Sequence, residues 1–399
     1  KSKVFSGTAS MQHNQHYSDR FHNKKYSNSN RKRFAKADAN RNRISQRKCI
    51  WVAKSKPPTA PQERKENCCE EATETNRGIG TIQYCGANAK QIKDIVQIES
   101  NKAIPVQPAD CLRIICLGCT HELHQDVFIP NGDLLIHAGD ICNWRKYPCT
   151  ARRYKTAHDT WKDFVSFLQQ IQQRKQGNFK YGMFVIPGNH DLFAEQNTHA
   201  IRALLSEHHI HLLVNESKTI RIEQERKLRL FGSPISWYRN KPSCAFQLHR
   251  AEHKYLWNTD SREESEKHWD AQFIEQYFQH NENEEKVAEP LDILITHGPA
   301  FGFGDCEVRG KCSGSYALLK YIQAEKPRIF ICCDYHGGTE DNTAHGFGVN
   351  FMHYNKEEFC VTMNVAIAHQ PARDMRADNM KRGVTIVDVK LDKLTKVLN

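Results

Sequence analysis

From residue 110 onward the chain alternates between short apolar runs and longer stretches in which apolar residues return every three or four positions. The runs are "LRIICLG", "DLLIHAGD", "GMFVIPGN", "IHLLVN", "LRLFGSP", "LDILITHG" and "RIFICC". Each has the length of a strand, and their near-continuous apolar character predicts strands covered on both faces. Between them, "DTWKDFVSFLQQIQ" puts Trp161, Phe164, Val165, Leu168 and Ile171 on one helical face, with Asp159 as the expected N-cap. "EKHWDAQFIEQYF" repeats Trp269, Phe273 and Tyr277 every four residues, and "SGSYALLKYIQ" reads as a further short amphipathic helix. "TIRIEQERKLRLFGS" has the form of a hairpin. Buried strands alternating with helices predict an α/β layered domain over residues 110–399.

The texture before residue 110 is different. Residues 67–109 are mixed and punctuated by proline, and are expected to form a linker draped over the domain. Residues 1–66 are rich in Lys, Arg, Asn, Ser and Gln without hydrophobic periodicity, so they cannot bury enough apolar surface to offset their ordering entropy. Charge sharpens this division. Residues 1–65 hold 17 Lys and Arg against Asp19, Asp38 and Glu63, a net of +14, while the whole chain carries +11. The basic excess is therefore confined to this extension. It suits a polyanion, RNA being the commonest inside cells, because phosphate-backbone binding needs charge and little sequence readout.

Fifteen scattered cysteines, including the adjacent pairs Cys68-Cys69 and Cys332-Cys333, fit no regular disulfide framework and predict an intracellular, reducing compartment. No window is long and apolar enough for a membrane span, and residues 1–30 have no secretory h-region. The start at Lys1 reads as a processed or partial chain, which makes the mitochondrial matrix a candidate location.

Polar residues with coordinating or acid–base chemistry cluster just after the apolar runs, where α/β proteins build their sites. In chain order they are Cys119 and His121, Gly139-Asp140, Gly188-Asn189-His190-Asp191, His297-Gly298-Pro299, and Asp334 and His336 before Gly337-Gly338. Singly, each is as readily a packing residue as a functional one. Together, at several strand ends, they predict one pocket.

"GNHD", with "GD", "THGP" and the "DYHGG" turn, resembles the calcineurin-like metallophosphoesterases over roughly residues 110–399. "GDLLIHAGD", "FGSP" and "THGPAFGF" are similar to segments of its small branch of metallophosphoesterase-domain proteins. The resemblance implies a four-layer sandwich, two mixed β-sheets flanked by helices, with the basic extension in front. It implies one or two divalent ions of zinc, manganese or iron at one edge, where a phosphoric ester or nucleotide substrate is hydrolysed. Carried over by position, the first ion would meet Cys119, His121, Asp140 and His336. The second would meet Asp140, Asn189, His297 and Asp334. His190 would act as the acid or stabilise charge on phosphorus, and Asp191 would orient it by a hydrogen bond.

Two positions depart from the family. It has aspartate where Cys119 stands, and "GH-x-H" where this chain has Cys333-Asp334-Tyr335-His336. A cysteine lacks one bond of an aspartate and falls short by something under ~1 Å, since zinc–sulfur contacts are only slightly longer than zinc–oxygen ones. Its softness favours zinc over manganese or magnesium. Two functions thus stay open: a metal-dependent hydrolase with a partly degenerate centre, or an impaired member serving as a structural RNA-binding subunit of a large ribonucleoprotein such as a mitochondrial ribosome.

Overall fold

The computed structural model describes residues 81–99, 103–143, 156–174, 178–223, 226–236, 244–247, 290–305, 314–336, 348–367 and 382–396. The basic extension and the helix expected over residues 266–278 lie outside them.

The first sheet is built from β1 (Thr81–Cys85), β2 (Val96–Ile98), β3 (Cys111–Leu117), β4 (Leu134–His137), β5 (Met183–Val185) and β6 (Ile210–Leu212), with β13 (Arg382–Lys390), in the order β2-β1-β13-β3-β4-β5-β6. The second contains β7 (Glu216–Ile222), β8 (Arg226–Ser233), β9 (Ile293–Thr296), β10 (Ile329–Cys332), β11 (Gly348–His353), β12 (Phe359–Asn364) and β14 (Thr395–Lys396). Its order is β11-β12-β10-β9-β8-β14, with β7 also paired to β8. Strands β3 to β6 run parallel, as do β8, β9, β10 and β12.

Strand alternation divides the core into layers. From β3, Ile115 and Leu117 meet Trp161, Phe164 and Ile171 of helix α1 (Ala157–Gln173), together with Ile201 and Leu205 from another helix. Ile114 and Cys116 point the other way, into an inter-sheet core with Ile293 and Ile295 of β9 and Ile329 and Ile331 of β10. The outer face of the second sheet, through Leu294 and Phe330, packs on Leu318 and Ile322 of a helix over Tyr316–Glu325. Strands β3, β4, β5, β9 and β10 are buried along their whole length, which is why those runs read as continuously apolar. The result is the four-layer sandwich.

Three expectations shift. Helix α1 is capped by Thr156 rather than Asp159: the threonine side chain accepts the Asp159 N–H at 3.1 Å and donates its hydroxyl to the Asp159 carboxylate at 2.8 Å. The segment expected as a linker is partly sheet, because β1 pairs with β13 and β2 with β1. Finally, β13 was not expected at all, yet it lies between β1 and β3 in the first sheet. Two shorter helices, α2 (Leu192–Gln196) and α3 (Thr198–Ser206), follow the "GNHD" turn, and the helix over Tyr316–Glu325 is α4.

A buried charge network explains how β1, β3 and β13 lock together. Arg113 of β3 clamps Asp388 of β13 through Nε at 2.8 Å and a terminal nitrogen at 2.7 Å, and Tyr84 of β1 donates its hydroxyl to the same carboxylate at 2.8 Å. The side chains of Arg113 and Asp388 are only 5% and 0% exposed. Removing one partner strands the other charge in the core. Asp388→Ala should lower unfolding free energy by about 3–5 kcal/mol in a denaturant titration, whereas Arg113→Met with Asp388→Leu should cost less than that single change.

Candidate metal centre

The sandwich brings the expected residues to one edge because they follow the carboxyl ends of adjacent parallel strands. Cys119 and His121 follow β3, Asp140 follows β4, and Asn189, His190 and Asp191 follow β5. On the second sheet, His297 follows β9, while Asp334 and His336 follow β10. A bridge between Gly118 and Ala366, with the Ile367 N–H donating to Gly118 O at 3.0 Å, joins the two sheets at this edge. All nine residues are 5% exposed or less.

Asp140 is the centre. Its Oδ2 lies 3.6 Å from His121 Nε2 and 3.9 Å from Cys119 Sγ, and its Oδ1 lies 3.3 Å from His297 Nε2. His121 Nε2 is in turn 3.3 Å from His336 Nε2. His297 Nε2 is 3.8 Å from Asp334 Oδ1, and the Asn189 amide donates to that oxygen at 2.7 Å. Of three groups with metal-ligand spacing at this edge, two share Asp140: Cys119–His121–Asp140–His336 and Asp140–His297–Asp334. His190 stands beside them, with Nε2 4.0 Å from Asp140 Oδ2 and its ring edge-on to His121.

Close approach requires the glycines. A Cβ at Gly188 would run into the Asp140 backbone nitrogen and carboxylate, and Gly139, at φ +100°, has His297 Nδ1 2.6 Å from where its Cβ would stand. Cys119 (φ 48°), His121 (φ 44°), Asp140 (φ 58°) and Asp334 (φ 65°) all occupy the left-handed region without being glycine. That backbone costs of the order of 1–3 kcal/mol per residue and persists where surrounding structure dictates it, typically at functional sites.

The donor set fits divalent cations. His121 Nδ1 faces Cys142 O at 3.3 Å and His297 Nδ1 faces Ala138 O at 2.9 Å, which leaves each Nε2 as a lone pair directed at Asp140. Asn189 Oδ1 is buried with no hydrogen-bond partner among the described residues. Such an orphaned acceptor is costly unless a cation completes it. Without one, protons take its place. Burial alone would lower His297, but Asp140 and then Asp334 hold it up to about 10. Burial would likewise raise Asp140, yet His297 and His190 keep it well below the carboxylate range. Burial pushes the Cys119 thiol well above its ordinary value.

Asp191 has contacts other than those expected. Its Oδ1 accepts the Cys142 N–H at 2.9 Å, and its Oδ2 accepts those of Gly188 at 2.8 Å and Ile141 at 3.2 Å. It ties the loop after β4 to the turn after β5 by binding backbone, where an imidazole contact to His190 was expected. Burial and the nearby Asp140 raise it to about 6. Two further residues at this edge are not among the ligands the sequence suggests. Cys333 occupies a glycine position of the family motif, and Asn364, at the end of β12, donates to Tyr335 O at 2.9 Å and Gly304 O at 2.8 Å. Its only signal was a polar residue closing the run "FCVTMN".

Comparison with known proteins agrees with this geometry. The family described as calcineurin-like phosphoesterase matches residues 112–338. A UPF0046 protein of Caenorhabditis elegans is 24% identical over 254 residues, 60% of this chain and 70% of that protein. Metallophosphoesterase domain-containing protein 1 of Homo sapiens is 23% identical over 255 residues, covering 58% of this chain and 63% of the human one. A probable rhamnogalacturonate lyase C of Emericella nidulans is 24% identical over 222 residues, 54% of this chain but only 16% of the lyase. The alternative of a structural RNA-binding subunit gains no support, since residues 1–65, which carried it, lie outside the described residues. With more than half its length matched by the family and paired ligand groups at the sandwich edge, this chain belongs to the calcineurin-like phosphoesterases.

Proposed function

We propose that the chain is a metal-dependent phosphoric ester hydrolase whose centre is weakened by two ligand changes. The observation that supports this reading is Asp140, whose two oxygens face different ligand groups, Oδ2 toward Cys119 and His121 and Oδ1 toward His297. Cys119, His121, Asp140 and His336 would hold one ion, and Asp140, Asn189, His297 and Asp334 the other. Bound ions would supply Lewis acidity toward a phosphoryl oxygen.

The chain's own groups do the rest. His190 Nε2 stands near the Asp140 carboxylate and is placed to hold a proton for a leaving oxygen. Its own backbone N–H donates to Asp140 Oδ1 at 2.8 Å, so the turn that carries His190 also fixes the carboxylate. Asp191 keeps that turn in register with the Asp140 loop through its three backbone acceptor contacts. His190, Asp140 and Asp191 are all buried, which strengthens each of these interactions.

With added manganese, the full chain should hydrolyse a generic phosphodiester weakly. If ligand reach is the defect, Cys119→Asp with Asp334→His should raise the rate at least tenfold. No gain in a folded double variant would overturn that explanation.

A further inference from the structure

We infer that Cys119, Cys333 and His297 form a two-sulfur site for one thiophilic divalent ion of the zinc class. The inference rests on reading this edge as a metal centre, but it uses a residue, Cys333, that the hydrolytic arrangement does not.

The three side chains offer ligand atoms within 4.8 Å of one another, and all three are 0% exposed. Cys333 Sγ lies 3.2 Å from His297 Nδ1, and in the metal-free chain both donate toward Ala138 O, at 2.8 and 2.9 Å. An ion here displaces both protons and takes His297 in the tautomer whose Nε2–H faces Asp140 Oδ1 at 3.3 Å. The sulfur is packed into the contact between the sheets: a Cβ on Gly118 would stand 2.9 Å from it. An independent feature concerns Cys119. Its Sγ accepts the backbone N–H of Asp334 at 3.2 Å, a donor that stabilises sulfur in its anionic, metal-binding form. Asp140 Oδ2, 3.9 Å from Cys119 Sγ, is an oxygen donor placed for a fourth position. Two sulfurs, one imidazole and one carboxylate form a donor set suited to zinc and poor for magnesium or manganese.

The three ligand groups at this edge overlap pairwise, which gives the site a consequence. Cys119 belongs to the sulfur group and to the group with His121, while His297 belongs to the sulfur group and to the group with Asp334. An ion on the sulfur pair therefore draws one ligand from each half of the hydrolytic centre. Zinc held there should oppose manganese-supported hydrolysis.

Cadmium titrated into the metal-free full chain tests this, because thiolate-to-metal absorption scales with the number of sulfur ligands. One cadmium per chain with the absorption of two thiolates is expected. Cys333→Ser and Cys119→Ser should each halve that absorption and weaken binding at least tenfold. Full absorption and unchanged affinity in Cys333→Ser would overturn the site. Should that variant fail to fold, X-ray absorption of the zinc-loaded unaltered chain decides, with two sulfur neighbours at about 2.3 Å expected and one or none refuting it. Manganese-dependent hydrolysis is measured on the same samples. If it persists while Cys333 contributes nothing, the sulfur site falls and the hydrolase reading stands. If the two-sulfur absorption is present but the Cys119→Asp, Asp334→His variant never hydrolyses, the opposite holds.

Discussion

Asp140→Asn should abolish tight binding of divalent metal, with affinity falling by well over a hundredfold in equilibrium dialysis. Residues that merely orient a ligand already cost 10- to 100-fold when changed. Asp140 does more, since its two oxygens face separate ligand groups and it belongs to both. The isosteric amide keeps the volume but loses the charge that offsets the histidines around it. Any hydrolysis should disappear with the metal. Retention of both metal and activity would remove Asp140 from the centre and overturn the proposed function.

In the metal-free chain, stability should fall as pH rises from about 6.5 toward 10. Burial opposes protonation of His297, but Asp140 and Asp334 override it and raise the group to about 10. A histidine whose folded value exceeds its unfolded one stabilises the fold fully below the unfolded value, about 6.5. That contribution is lost as pH climbs through the folded value. A shift of this size corresponds to up to about 5 kcal/mol, or of the order of 10 °C in melting temperature for a domain of this length. His297→Gln should flatten the profile. Saturating zinc should do so as well, because an ion that takes the imbalance of charge needs His297 deprotonated and binds more tightly as pH rises. A melting temperature independent of pH in the metal-free chain would show that the Asp140–His297 pair is not ionised.

Much of this centre was legible because the fold writes its strands plainly. A run such as "LDILITHG" is apolar on both faces since β9 lies inside two cores at once, and the polar residue that ends it must be at the sheet edge. Hence Cys119, His121, Asp140, Asn189, His190, His297, Asp334 and His336 could be named in advance, and the structure gathers them. Asp191 shows the limit. A motif gives the residue but not its contacts, and the loop after β4 reaches Asp191 only once β4 and β5 are paired side by side.

The sequence by itself determined the apolar runs, their order, and the chemistry at their ends, because burial and side-chain type act locally. Tertiary structure alone decided what depends on partners distant in the chain. β13 takes its place between β1 and β3 by pairing with both, and a buried Arg113–Asp388 pair whose members are 275 residues apart reinforces it. Cys333 meets His297 because β9 and β10 pair within one sheet, and it meets Cys119 only because the two sheets close at Gly118 and Ala366. No local pattern encodes such a meeting, since a thiol in an apolar run has the same sequence signature whether it fills space or faces another sulfur.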